Sequence, residues 1–175
     1  MVDYPQFMKG SKLSNYLLID INSDTINIDN ITKPIFFKIT ASWCRGCIPE
    51  IPALNELAEE FQDSMEFIFL THDQYNRAKK SYGEKLASNI HLIPSSQYMN
   101  VMGVVKLSIG GFDHILPFPT TYITDKNHII KSIEAGGAAV GRIPTMDGDT
   151  IMISKDEAHQ NTLDRFRPLI ELAIK

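Results

Sequence analysis

The sequence predicts an α/β domain built on a central mixed β-sheet flanked by helices, and three observations predict it. The run Pro34-Ile35-Phe36-Phe37-Lys38-Ile39-Thr40 is aromatic and β-branched almost throughout, which suits a strand covered on both faces. An amphipathic stretch and a second apolar run, Glu66-Phe67-Ile68-Phe69-Leu70, follow it, and strand, helix, strand implies a right-handed crossover between parallel neighbours. Far downstream, residues 118–124 and 128–133 flank the turn Asp125-Lys126-Asn127 and read as an antiparallel hairpin.

Taken in order, residues 1–30 mix Pro5, Gly10, Asn and Asp with short apolar stretches, which predicts a hairpin-like N-terminal extension. After the first core strand, Ile51, Leu54, Leu57, Ala58 and Phe61 recur at helical spacing, with Glu50, Glu56, Glu59 and Glu60 on or near the opposite face. Pro49 fits the first turn of that helix, whereas Pro52 lies deeper and is expected to bend it. Residues 76–88 read as a helix interrupted by Gly83, and Ser95-Ser96 as the cap of a short helix through about Val105. Gly110-Gly111 marks a loop, and Gly136-Gly137 ends the later hairpin. Residues 138–155 read as a surface excursion, and residues 156–174 as a C-terminal helix carrying Leu163, Phe166, Leu169, Ile170 and Ala173, kinked at Pro168.

Composition bounds the function. With 175 residues, 43% hydrophobic and 22% charged, the chain fits one domain over residues 1–175. A net charge of -4 and scattered Lys and Arg leave no basic footprint, so no nucleic-acid partner is expected. No apolar run approaches the roughly 20 residues that span a bilayer, and the first ten residues lack the pattern of a secretory signal. A membrane anchor is expected only if an N-terminal segment was removed. Two cysteines are too few for a disulfide-built scaffold or for a zinc site of four thiolates.

Those two cysteines, Cys44 and Cys47, stand in Ala41-Ser42-Trp43-Cys44-Arg45-Gly46-Cys47, directly after the first core strand. Thiols three positions apart lie on one side of a helical turn, so they can close a small disulfide ring and open it without large backbone movement. Such a pair can also be a static staple. Trp43 before it, the strand that feeds it and Pro119 downstream favour redox switching.

Two segments carry a family resemblance: residues 41–54, Ala-Ser-Trp-Cys-Arg-Gly-Cys-Ile-Pro-Glu-Ile-Pro-Ala-Leu, and Phe118-Pro119-Thr120-Thr121-Tyr122-Ile123. The chain resembles the thioredoxin-like superfamily, and within it the exported thiol-disulfide oxidoreductases of the TlpA and ResA kind, over roughly residues 19–137. The resemblance implies a thioredoxin-like fold with an insertion before the proline-led strand. It implies Cys44 as the nucleophile, Cys47 as the resolving cysteine, Glu50 as an acidic residue close to the pair, and a cis peptide before Pro119 facing the disulfide. Lys38 stands where most thioredoxins bury an aspartate, Thr40 where many have a second tryptophan, and Arg-Gly replaces the commoner proline-bearing dipeptide.

A free thiol has a pKa of roughly 8.5, so the site has to raise the thiolate fraction. The expected means is a helix start at Cys44, with the Gly46 and Cys47 amides pointing at its sulfur and Arg45 adding positive charge. Glu50 is either a carrier for the Cys47 proton or a solvated first-turn acid, and Lys38 is expected to carry its ammonium to the surface. Trp43, Arg45, Gly46, Phe118, Pro119 and Thr120 are the expected substrate-binding residues, the Phe118 backbone offering an edge to an extended partner. His72, His91, His114, His128 and His159 show no ligand-like spacing.

The expected function is thiol-disulfide exchange with protein substrates, as a reductant, with no cofactor beyond the Cys44-Cys47 disulfide. The chain is expected to act as a monomer supplied by an upstream electron donor, and the resemblance implies the periplasm or another extracytoplasmic space. Two alternatives stand beside it. One is a peroxiredoxin-like peroxidase. The other is a copper-binding module using the thiolates with His114 or His128.

Overall fold

In a computed structural model, which describes residues 8–95, 99–101, 104–114 and 118–175, the chain forms twelve strands and three α-helices among the described residues. β1 (Leu17–Ile19) and β2 (Thr25–Asn27) make the expected entry hairpin, in antiparallel register with Leu18 opposite Ile26. β3 (Ile35–Thr40) is buried at all six positions and leads through the cysteine loop to a 3₁₀ turn, Ile48–Glu50, and α1 (Ile51–Glu60). β4 (Glu66–Gln74), α2 (Tyr75–Tyr82) and β5 (Ile90–Ser95) complete the first half.

β6 (Met99–Val101), β7 (Val104–Ile109) and β8 (Phe112–His114) form a separate antiparallel meander. β9 (Thr120–Thr124) and β10 (Ile130–Ala135) form the later hairpin, β11 (Gly141–Pro144) and β12 (Thr150–Ile153) a small one, and α3 (Lys155–Ala173) closes the chain. The main sheet runs β10-β9-β3-β4-β5, with β3, β4 and β5 parallel and β9 antiparallel to both its neighbours.

Side-chain alternation on these strands builds two cores. Phe36, Phe67, Phe69 and Ile123 face α1, α2 and α3, whose Leu54, Leu57, Tyr82, Phe166 and Ile170 bury against them. Ile35, Phe37, Ile39, Ile68, Leu70 and Tyr122 face the other way. The second face is covered by Leu13, Leu18 and Ile28 of the entry segment and by Leu107, Ile109 and Phe112 of the meander. Each fully buried Leu, Ile or Phe contributes about 1.5–3 kcal/mol of transfer free energy, so the sheet is stabilised from both faces.

Three expectations are corrected. The short helix through about Val105 is absent: β5 ends on Ser95, and the described residues beyond it lie in β6 and β7, Ser96 being outside the described residues. Gly110 and Gly111, both at positive φ, close a two-residue turn between Ile109 and Phe112, and that hairpin chemistry with β-branched neighbours outweighs the cap signal. Pro52 does not bend a helix interior, because the helical stretch breaks into a 3₁₀ turn and α1, leaving Pro52 in the first turn of α1 where its missing N–H costs nothing. α2 stops at Tyr82, short of Ser88, with Gly83 as its cap residue.

The excursion at 138–155 is itself ordered as the β11–β12 hairpin. α3 starts on a capping box in which Ser154 Oγ accepts from the Glu157 amide while the Glu157 carboxylate accepts from the Ser154 amide. It runs through Pro168.

Candidate active site

The C-terminal end of β3 delivers Ala41 and Ser42 to a turn, and β4 holds that turn in place. Asp73, 4% exposed, accepts from the Ser42 amide at 2.6 Å, from Ser42 Oγ at 2.6 Å and from Thr71 Oγ1 at 2.8 Å. Arg77 adds an ion pair to Asp73 at 3.0 Å and donates to Ser42 Oγ at 2.9 Å. Several donors converging on one buried carboxylate fix the turn, so Trp43 and Cys44 leave from a tied point.

Cys44 and Cys47 are joined as a disulfide with Cα atoms 5.3 Å apart. Cys44 keeps 6% of its surface and Cys47 1%, so the first cysteine is the less buried residue. The expected helix start at Cys44 is not present: the Cys47 amide donates to the Cys44 carbonyl at 3.1 Å in a turn, and α1 begins only at Ile51. Of the amides expected to face the Cys44 sulfur, that of Cys47 is thus already used. Arg45 between the cysteines is exposed.

Gly46 lies against Gly137. A Cβ on Gly137 would run into the Gly46 carbonyl oxygen, and one on Gly46 would stand 3.2 Å from the Gly137 Cα, so two backbones touch where side chains have no room. α3 steadies this contact, since Arg165 donates to the Gly136 carbonyl at 2.6 Å and the Ala135 carbonyl at 3.0 Å.

The Phe118–Pro119 peptide is cis, as the resemblance implied. Phe118 packs on the cluster of Ala41, Cys44 and Cys47. Its ring lies 5.2 Å from Trp43, 5.9 Å from His72 and 5.7 Å from His114, and Trp43, 44% exposed, meets His72 edge-on at 5.8 Å. The Pro119 carbonyl accepts from the Gly136 amide at 2.9 Å, and Thr120 is fully buried in β9.

Beneath the disulfide lies an ion pair. Lys38 Nζ stands 2.6 Å from Glu50 Oε2, each residue 1% exposed, with Thr121 Oγ1 at 3.4 Å and the Phe166 ring 5.6 Å from the ammonium. The expectation for Lys38 is therefore corrected, since its ammonium does not reach the surface, and of the two alternatives for Glu50 the solvated acid is excluded. β3 alternation points Lys38 at the helices, and the 3₁₀ turn after Cys47 brings Glu50 down to meet it. Burial pulls the Lys38 pKa below the ordinary lysine value, and Glu50 opposes that pull. A cavity of ≈ 240 Å³ between residues 137–139 and α3 reaches Glu50, with Asn161 and Arg165 on its wall.

The structure thus gathers Cys44, Cys47, Phe118 and Trp43, with Gly46 between the cysteines, Pro119 following Phe118 through the cis bond, and Glu50 in the 3₁₀ turn that follows Cys47. The copper-ligand candidates do not converge: His114 bonds Tyr122 at 3.1 Å, while His128 sits in the turn at the far end of β9. No group of three or more potential ligands stands together among the described residues. Sequence reasoning missed Asp73 and Gly137. The polar run Thr71-His72-Asp73 ending an apolar strand signals the first, whereas Gly136-Gly137 reads only as the end of a hairpin.

The chain is similar to known proteins in sequence and fold. A thioredoxin-like protein, YneN, from Bacillus subtilis is 22% identical over 132 residues, covering 73% of this chain and 72% of the relative. A thiol-disulfide oxidoreductase, ResA, from Bacillus thuringiensis subsp. konkukian is 23% identical over 130 residues, covering 71% and 69%. The solved thiol:disulfide interchange protein of the thioredoxin family from Chlorobium tepidum superposes with a TM-score of 0.62 at 12% identity, covering 96% of this chain and 99% of the other. The fold is thioredoxin-like. The AhpC/TSA family profile matches residues 10–133, a stretch that runs from the entry segment through both cysteines and the cis proline into β10, and the chain belongs to the AhpC/TSA family.

Proposed function

We propose that this thioredoxin-like thiol-disulfide oxidoreductase reduces disulfides in protein substrates, with Cys44 as attacking sulfur, Cys47 as resolving sulfur and no further cofactor. The observation that carries this reading is the placement of the only two cysteines as a disulfide at the end of β3, the first cysteine less buried than the second.

In the reduced protein the Cys44 thiolate attacks one sulfur of the substrate disulfide. The substrate S–S bond breaks, a Cys44–substrate disulfide forms, and the departing substrate thiolate takes a proton. Glu50, paired with Lys38, takes the Cys47 proton, and the Cys47 thiolate then attacks Cys44. The mixed disulfide breaks, the Cys44–Cys47 bond forms, and the second substrate thiolate leaves. Two electrons have passed from the dithiol to the substrate, and a donor dithiol returns them. The cavity beside Glu50 supplies a path for its proton to solvent. Trp43 and Phe118 wall the disulfide, and the Phe118 backbone offers hydrogen bonds to an extended substrate chain.

The same reading sets the chain to work as a monomer in an extracytoplasmic space, as the family resemblance implies, where protein disulfides form and persist. No helix among the described residues is long and apolar enough to cross a membrane.

The test is trapping. Reduced Cys47→Ser, mixed with an oxidised protein such as insulin, is expected to accumulate a covalent complex cleaved by dithiothreitol, while Cys44→Ser accumulates none. Absence of a complex with Cys47→Ser, or stoichiometric consumption of hydrogen peroxide by a wild-type protein that leaves insulin oxidised, overturns the reading in favour of a peroxidase.

A further inference from the structure

The matched family region ends at residue 133, and β11 and β12 lie beyond it, inserted ahead of α3. Among the described residues the two strands pair only with each other, and a lone two-stranded hairpin is marginal in water. Yet this one leaves apolar side chains in solvent: Ile151 is 48% exposed, Met152 65% and Val140, at its root, 38%. Flexible methionines at an exposed surface suit contact with partners of varied shape.

The root of the hairpin reaches the disulfide. Gly137 touches Gly46, and three residues on, Val140 lines, together with Arg45, a groove of ≈ 600 Å³. Ile48, Pro49, Pro52 and Val140 make an apolar floor. Arg45 and Lys155 place two cations on the rim against the one carboxylate of Asp156, and the His159 ring is engaged by Glu56 at 2.9 Å.

We infer that this groove seats the stretch of a substrate protein that flanks its disulfide cysteine, an extended segment with an apolar side chain for the floor and a carboxylate for the cationic rim. Arg45 adjoins Cys44, so a chain whose sulfur is bonded to Cys44 enters the groove within a few residues, each extended residue spanning about 3.3 Å. The apolar contact adds affinity, and the rim charges select among partners and speed their encounter. The inference rests on the disulfide-exchange reading above and names the part of the substrate it recognises.

The test uses the full chain and three disulfides: two peptides alike but for Glu or Lys beside an apolar residue next to the cysteine, and uncharged bis(2-hydroxyethyl) disulfide. Wild type is expected to show a KM about tenfold lower for the Glu peptide, equal to 1.4 kcal/mol, with similar kcat. Val140→Asp raises KM for the Glu peptide about tenfold and Lys155→Glu narrows or inverts the preference, while reduction of bis(2-hydroxyethyl) disulfide is unchanged in both. Both sites are exposed, and an acid at the first position of α3 complements its dipole, so the variants keep their fold. Equal KM values for the two peptides on wild type, or an unaltered KM in Val140→Asp, overturn the inference. So does a concentration-dependent dimer that Val140→Asp dissociates without change in KM, which assigns the groove to a second copy. Wild type that reduces none of the three disulfides refutes the exchange reading itself.

Discussion

Lys38 shows how one residue can be placed by the sequence and still be misjudged. Its strand was legible, and so was its position six residues before Cys44, but an isolated lysine in an apolar run reads as a stem that carries its ammonium out to water. What reverses that reading is Glu50, twelve positions away, and nothing in the spacing announces that a 3₁₀ turn will bring the carboxylate to 2.6 Å. A buried ion pair adds little over an apolar replacement, but removing one partner strands the other charge. Lys38→Met is therefore expected to lower the unfolding free energy by about 3–5 kcal/mol in urea titrations, and Lys38→Met with Glu50→Leu to recover most of it. A single variant as stable as wild type would mean that Glu50 is not charged in the fold. Gly137 is a second such residue. Its contact with Gly46 joins segments 91 positions apart, so Gly137→Ala is expected to cost about 1–3 kcal/mol and to slow disulfide exchange, measured by urea midpoint and by insulin reduction. Unchanged values in both would show that the cysteine loop gives way freely.

At the scale of elements, strong periodicity carried through and local punctuation did not. β3, β4, α1 and α3 follow from strong patterns: in α1 the spacing named Ile51, Leu54, Leu57 and Ala58, and in α3 Leu163, Phe166, Ile170 and Ala173, all of them buried, while Leu169 is only partly so. The meander was harder, because a Ser-Ser pair resembles a helix cap and only pairing with β8 across Gly110-Gly111 reveals the strands. The proline-rich start of α1 was misread for a similar reason: two prolines were assigned to one helix, while the chain divides them between a 3₁₀ turn and the first turn of α1. One junction of elements carries a pH signature. His91 on β5 lies 3.3 Å from Asp20, beside the entry hairpin, and 3.1 Å from Glu66 on β4, and the Glu66 hydrogen bond foremost raises its pKa above the usual histidine value. A raised folded value means that the contribution is complete below the unfolded pKa of about 6.5 and is lost as pH climbs through the higher folded value. Urea midpoints of wild type are expected to fall across that window, and those of His91→Asn to fall less. Parallel curves for the two proteins would remove His91 from the account.

Across the whole molecule, the parallel crossover of β3 and β4 and the β9–β10 hairpin were legible in the sequence, the cis proline came from the family resemblance, and the order that joins them, with β9 beside β3, comes from the structure. The cover of the second sheet face was not legible, since the entry segment read as a hairpin without a docking place and part of the meander as a short helix, and only the fold brings their apolar residues together across Phe37 and Tyr122. The same arrangement leaves the disulfide between supports of unequal stiffness. On the Cys44 side, Asp73 ties the incoming turn to β4 through Ser42, Thr71 and Arg77. On the Cys47 side, the support is a bare glycine contact and the Lys38–Glu50 pair. Under the proposed exchange, opening of the disulfide would leave Cys44 on the loop that Asp73 ties to β4, so that any displacement falls to Cys47 and to Glu50, which follows it in the chain and pairs with Lys38.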